Sequence, residues 1–237
     1  IGQCDSVELT NVKSISYYGW GDGMDVFSSS NVILDGVFCR NSDDCAAVYA
    51  STQGFKGGSN NVLVKNATLW ADVAHPINIG GHGDPNGMDT VQNVTFRNID
   101  ILDQAENQID YQGCLAINPG DNTLVRNITF ENIRIEDFRN GQLVNFRISF
   151  NPKYCVSTGR GIQNVLVKDV TYNGSGENLS IIAGYDENHK IFGIRFVNLV
   201  VNGRKITDDM PGKPKWYKTG DMAGIFVGEH VENLSFE

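Results

Sequence analysis

An all-β fold, a single-stranded right-handed parallel β-helix, is what this sequence predicts. Three observations carry the prediction: a short motif that recurs along the chain, period-two alternation within each copy, and asparagines set between the short strands. The motif is Asn, an apolar residue, a variable residue, an apolar residue, a polar pair often ending in Asn, and then renewed apolar alternation. It begins at Asn31, Asn61, Asn93, Asn127 and Asn164, at intervals of 30, 32, 34 and 37 residues. A constant motif at a drifting interval describes coils of one cross-section joined by loops of variable length, the signature of a solenoid. Gly193–Leu199 and Val231–Leu234 continue the series.

Within each copy the alternation places Val, Ile and Phe inward and Lys, Arg, Glu and Thr outward. Asparagine between strands suits stacked turns, because it accepts left-handed backbone geometry and its side chain bonds to its neighbours along the stack. No helical stripe runs for 12 residues, and the Trp-Asp signature of propeller blades is absent. Six asparagines, at 66, 93, 127, 173, 178 and 233, also read as glycosylation acceptors. Most of these are the turn asparagines of the repeat, and Asn173 and Asn178 are the better loop candidates. The whole of 1–237 is expected to form one β-helix domain. Because the repeat pattern runs into both termini, the chain is expected to be part of a longer polypeptide, truncated at each end.

With 41% hydrophobic residues, 26 glycines and six prolines, and without a long apolar run, the sequence excludes a helical membrane protein and a disordered one. A net charge of −9 argues against nucleic acid as a partner. Cys4, Cys39, Cys45, Cys114 and Cys155 are too scattered for a disulfide scaffold and include no Cys-x-x-Cys pair. Buried thiols are expected, although a bridge between Cys39 and Cys45 would stiffen the segment between them.

The chemistry concentrates in three carboxylates. Asp43 follows Asp22 by 21 residues, about one coil, and Asp44 is its neighbour. Stacked strands lie about 4.8 Å apart, so acids one coil apart become neighbours that cannot all ionise at their ordinary pKa. A protonated acid beside an ionised base is the equipment for cleaving a glycosidic bond. On a regular strand either Asp43 or Asp44 would enter the core, so a bulge or turn that points both outward is expected here. Asp22 lies in Gly19-Trp20-Gly21-Asp22-Gly23-Met24-Asp25, where glycines allow a tight backbone, Trp20 offers a flat face to a sugar, and Asp25 is a further substrate-binding candidate.

The segment from Trp20 to Val48 resembles the catalytic stretch of polygalacturonases, glycoside hydrolase family 28. There an Asn-Thr-Asp-Gly motif leads, one coil on, to an Asp-Asp-Cys motif. Asp22 matches the first acid, with Trp20 and Gly21 replacing Asn and Thr, and Asp43-Asp44-Cys45 matches the second motif. The resemblance implies cleavage with inversion, with Asp43 as general acid and Asp22 and Asp44 holding the attacking water. It implies no cofactor and no metal. The family's Gly-His-Gly stretch corresponds to Ala74-His75-Pro76, which makes His75 a substrate-binding candidate. A literal Gly81-His82-Gly83 follows, and His82 is a second candidate.

The family's Arg-Ile-Lys strand, which holds the substrate carboxylate, corresponds to Leu115-Ala116-Ile117, where there is no cation. Charge-assisted hydrogen bonds are needed to hold a uronate, so this departure points to a neutral sugar. It favours the similar dextranase and isopullulanase group, family 49, with polygalacturonate as the alternative. A non-catalytic carbohydrate-binding β-helix and a polysaccharide lyase, whose acids would bind Ca²⁺, are the rival classes. Tyr49, Phe55 and Lys56, in the loop after the acid pair, are expected to wall the cleft. Asp110-Tyr111-Gln112 and Arg147 near Asn151 are expected to extend it. The partner is therefore a polysaccharide or oligosaccharide, with neither nucleic acid nor membrane, and the place of action extracellular or periplasmic. The sequence does not fix an oligomeric state.

Overall fold

The computed structural model of the chain describes residues 1–176 and 178–237, and it is a right-handed parallel β-helix. One sheet is built from long strands, Ser59–Ala71, Thr90–Gln104, Leu124–Ile135, Gly161–Tyr172 and Ile191–Val201, each paired in parallel with the next. The second sheet stacks short strands in chain order: Met24–Phe27, Ala46–Tyr49, Ile77–Ile79, Leu115–Ile117, Val144–Arg147, Ser180–Ala183 and Ile225–Val227. Among the described residues the helical structure is two single 3₁₀ turns, Ile109–Tyr111 and Thr219–Ala223. No helix is long and apolar enough to cross a membrane.

The asparagines make each long strand turn a corner. Asn66, Asn98 and Asn132 adopt left-handed φ of 54–56°, so inward positions such as Val94 and Phe96 resume, one residue out of phase, at Ile99 and Ile101. Their side chains form a ladder, with Asn98 donating to Asn66 and Asn132 to Asn98. A second ladder runs from Asn164 to Asn127 to Asn93. The Nδ2 atoms of Asn66, Asn93 and Asn127, where a glycan would attach, are already donating to Asp35, Asn60 and Asn93 within the stack. The core is a set of in-register columns, such as Val64, Phe96, Phe130, Val167, Phe196 and Phe236. Within this column the rings of Phe96 and Phe130 stack at 5.8 Å, and those of Phe196 and Phe236 at 4.7 Å.

All five cysteines are free thiols, so Cys39 and Cys45 do not bridge. Both are buried, and apolar packing has taken the place of the crosslink. The segment after Thr207 leaves the helix as an excursion anchored by buried Met210 and by a hydrogen bond from Thr219 to Asp208, with Trp216 exposed.

Candidate active site

The short-strand sheet positions the acids. Asp25, Ala47, Asn78, Ala116 and Asn145 share one register on its outer side, alternating with core residues such as Val26, Val48, Ile79 and Ile117. Just before the strands, Gly23 donates to the carbonyl of Asp44 and Cys45 donates to that of His75. These bonds continue the strand register and bring Asp22 level with Asp44, and Asp44 level with His75. The stacked partner of Asp22 is therefore Asp44 rather than Asp43, a one-residue difference made by the bend at Ser42–Asp43. Gly23 is required there, because a Cβ would lie 2.2 Å from the Cys45 carbonyl oxygen.

That bend separates the fates of the adjacent acids. Asp43 stays half-buried in the cleft, where its carboxylate accepts the Asp44 backbone N–H at 3.0 Å. Burial first, and then the neighbouring charge of Asp44, push its pKa up. Asp44 is buried rather than pointed outward, 1% exposed, and tolerates this because four donors satisfy it. Its Oδ1 accepts from His75 N at 3.0 Å and pairs with His75 Nδ1 at 2.8 Å. Its Oδ2 accepts from Tyr49 Oη and Asn78 Nδ2, each at 2.7 Å. Burial alone would raise its pKa, but the charge of His75 and the hydrogen bonds from His75, Asn78 and Tyr49 outweigh it and hold Asp44 below the usual range. A carboxylate offers about four lone-pair sites, so no acceptor remains on Asp44 for an attacking water. The expected sharing of that water between Asp22 and Asp44 does not fit this arrangement.

Asp25 is the partner of Asp22 instead. Burial, joined by repulsion from Asp25, Asp43 and Asp44, pushes Asp22 up to about 8. Burial and the charge of Asp44 push Asp25 up to about 7. The two acids repel each other, so their titrations are linked and belong to the pair rather than to either residue. Asn41, fully buried, braces this turn: its Nδ2 lies 3.0–3.1 Å from Ser14 Oγ, Ser16 Oγ and the carbonyls of Gly21 and Asp22.

These groups open onto a cleft of about 240 Å³ lined by Trp20, Asp22, Asp25, Asp43, Asp44, Thr52, Gln53, His82, Tyr111 and Tyr154, among others. Trp20 is 77% exposed. His75 is fully buried, covered by the ring of Tyr111 at 4.5 Å, so it positions Asp44 and does not face substrate. Tyr49 has its hydroxyl on Asp44 and only its ring edge at the cleft, where His82 meets it at 5.0 Å. Burial holds the His82 imidazole below its usual pKa.

Of the other expected wall residues, Lys56 is paired with Asp84, Phe55 packs on Phe27, and Gln112 is buried against the Glu106 carbonyl. Arg147 and Asp110 pair at 3.0 Å where the cleft extends past Asn118. Tyr111 lies in the expected Asp110-Tyr111-Gln112 stretch and Asn41 opens the segment that ends in Asp43-Asp44-Cys45, whereas the clamp Asn78 and the second wall residue Tyr154 carry no motif of their own. Only the position of Asn78 on the strand after His75 points to the clamp. Among the described residues, no group of three or more His, Cys, Asp or Glu side chains is arranged to hold a metal ion.

Comparison with known proteins adds to this geometry. A family profile described as Glycosyl hydrolases family 28 matches residues 3–211. A probable endo-xylogalacturonan hydrolase A of Neosartorya fischeri is 29% identical over 168 residues, covering 68% of this chain and 38% of that protein. An exopolygalacturonase of Cochliobolus carbonum is 34% identical over 86 residues, covering 36% of this chain and 17% of that one. The solved family 28 exopolygalacturonase of Yersinia enterocolitica superposes with a TM-score of 0.60 at 15% identity, over 90% of this chain and 38% of its own. The chain thus spans well under half the length of these relatives.

Proposed function

This chain belongs to family 28 of the glycosyl hydrolases, and from that premise we propose that its cleft hydrolyses a galacturonate-containing polysaccharide with inversion of configuration. The observation that carries the reading is the divergence of the four acids: Asp44 is pinned ionised by four donors, while Asp22, Asp25 and Asp43 are pushed towards protonation. Where the linked Asp22–Asp25 pair carries a single proton it offers an ionised base, while Asp43, beside the fixed charge of Asp44, stays a protonated acid.

Asp43 gives its proton to the glycosidic oxygen as the bond to the anomeric carbon breaks. A water attacks that carbon from the opposite face, and its proton passes to the ionised member of the Asp22–Asp25 pair. Asp44 takes no part in proton transfer. Its fixed charge keeps the proton on Asp43 until the leaving oxygen needs it. His75, Asn78 and Tyr49 act through Asp44 as positioning residues.

The names of the relatives replace the neutral glucan favoured by the bare Leu115–Ile117 strand. Both named fungal relatives act on galacturonans. A polymer of that kind places the enzyme's work outside the cell. Reducing-end release from polygalacturonate, pectin, dextran and pullulan tests the reading, with the anomer of the first product read by NMR. Release from a galacturonan with inverted product is expected. Release from dextran or pullulan alone would refute the substrate, and a retained anomer would refute the mechanism.

A further inference from the structure

A galacturonan-binding cleft needs a cation, and the strand where relatives are expected to carry it is apolar here. Two other candidates are already committed: Arg147 to Asp110, by Nη1 to Oδ1 at 3.0 Å and Nη2 to the backbone carbonyl at 3.2 Å, and Lys56 to Asp84 at 3.4 Å. Lys153 is different. It sits on the loop after Val144–Arg147, which arches back across the cleft, and it belongs to none of the ion pairs formed among the described residues.

The loop is anchored well away from its own coil. Cys155 Sγ donates to the Gly81 carbonyl at 3.2 Å, and the amides of Val156 and Ser157 donate to Asp121 at 2.7 and 3.2 Å. Asn151 Oδ1 caps the Lys153 amide at 3.1 Å. So fixed, Tyr154 stacks on Tyr111 at 5.2 Å, and the Lys153 ammonium lies 4.8 Å from the Tyr154 ring and 5.9 Å from the ring of Trp20. Two aromatic faces hold the charge in place. Both belong to residues that line the cleft beside Asp22 and Asp43.

We infer that Lys153 is the carboxylate-reading residue of this cleft: a uronate ring lies against exposed Trp20 with its carboxylate on the Lys153 ammonium. The inference rests on the galacturonan reading and assigns the charge recognition that the Leu115–Ile117 strand lacks. An ammonium on a flexible stem is a point charge with three rotatable donors and imposes no bidentate geometry. The carboxylate is thus read by its charge, so methyl esterification removes what Lys153 recognises.

The test uses Asp43→Asn protein, so that bound substrate survives, with and without Lys153→Met. The probes are a galacturonate tetramer and its methyl ester, followed by calorimetry at two salt concentrations. The expected result is tetramer binding weakened about tenfold by Lys153→Met and largely restored by Lys153→Arg. Its salt dependence should flatten, and methyl-ester binding should stay unchanged. Equal loss for acid and ester would mean that Lys153 only supports the loop, and would overturn the inference.

Steady-state kinetics with Asp43 intact separate this inference from the function beneath it. Polygalacturonate hydrolysis whose KM is untouched by Lys153→Met overturns the role of Lys153 and leaves the galacturonan reading standing. A parent chain that neither binds nor cleaves galacturonan removes both.

Discussion

The two sheets of this molecule stack like upon like, with opposite consequences. On the long-strand side, asparagine sits on asparagine from Asn93 to Asn127 to Asn164. On the short-strand side, carboxylate sits on carboxylate from Asp22 to Asp44. Each asparagine carries both donor and acceptor, so a column of them satisfies itself and stays neutral. A carboxylate is acceptor only, so a column of them must either import donors or retain protons. The site does both: Asp44 draws donors from His75, Tyr49 and Asn78, while burial and the neighbouring charges push Asp22 and Asp25 towards their protonated forms. The geometry that makes one face inert makes the other reactive.

The largest effect should come from the carboxyl whose proton is spent in the reaction. Asp43→Asn keeps the shape of the site and removes the proton donor. Turnover should fall about 10³-fold, in the range for loss of general acid catalysis, with substrate binding retained. Reducing-end assays paired with calorimetry measure both halves. A variant that turns over near the parent rate would remove Asp43 from the acid role.

Next comes the donor supply of Asp44. His75→Ala takes away the charge and one hydrogen bond that face a fully buried carboxylate, and it opens a gap beneath Tyr111. Breaking a buried pair on one side costs about 3 kcal/mol or more, so the urea midpoint should drop and activity with it. The loss should shrink at low pH, where Asp44 can take up a proton. If the destabilisation is the same at pH 4 and pH 7, the charge on Asp44 is not what His75 balances.

The raised pKa values of Asp22 and Asp25 make the fold pH-sensitive in a stated direction. The folded pKa of Asp25, about 7, lies above its ordinary value of 3.8. Between those values the folded chain keeps the proton and the unfolded chain gives it up. Stability from this group is complete below about pH 4 and is lost as pH rises through 7. Asp25→Asn cannot ionise, so its advantage over the parent should grow from pH 4 to 7 and then level off at about 2 kcal/mol. That is roughly half of what such a shift carries for an isolated group, because the titration is linked to that of Asp22. Thermal melts across that range check it, and a pH-independent difference would show that the pKa of Asp25 is not raised in the folded chain.

The coils, the two ladders and the gathering of Asp22, Asp43 and Asp44 were legible in sequence, because each depends on a residue's position within its own repeat. Asn31, Asn61 and Asn93 announce the ladder, and the one-coil spacing announces the acids. The burial of Asp44 was not legible. It depends on His75 and Asn78, one coil further on, meeting the carboxylate at hydrogen-bond distance, and a one-residue bend decides that. Tyr111 was legible as a cleft residue, but its joining with Tyr154 and Lys153 in one wall was not. Loops of a solenoid lean along its axis, and no repeat interval records that the loop after Arg147 reaches back to Gly81 and Trp20. The absence of a cation on Leu115–Ile117 points to a neutral sugar from sequence alone, because a lysine on the loop one coil further on leaves no trace in the motif.

The smallest predicted effect addresses the comparison of the two faces most directly. Asn127 donates to Asn93 Oδ1 at 3.1 Å and accepts from Asn164 at 3.2 Å. Asn127→Asp preserves size, tolerates the left-handed backbone at φ 56°, and still accepts from Asn164. It withdraws one donor, leaving two acceptor oxygens facing each other as on the reactive side. In the solvent-exposed ladder the loss should be about 1 kcal/mol at neutral pH. It should fade below pH 4, where a protonated aspartic acid donates to Asn93 again. Urea denaturation at pH 7 and pH 3.5 measures the difference. If the variant matches the parent at both, the ladder is held by packing and backbone turns alone, and donor supply would not be what distinguishes its face from the catalytic one.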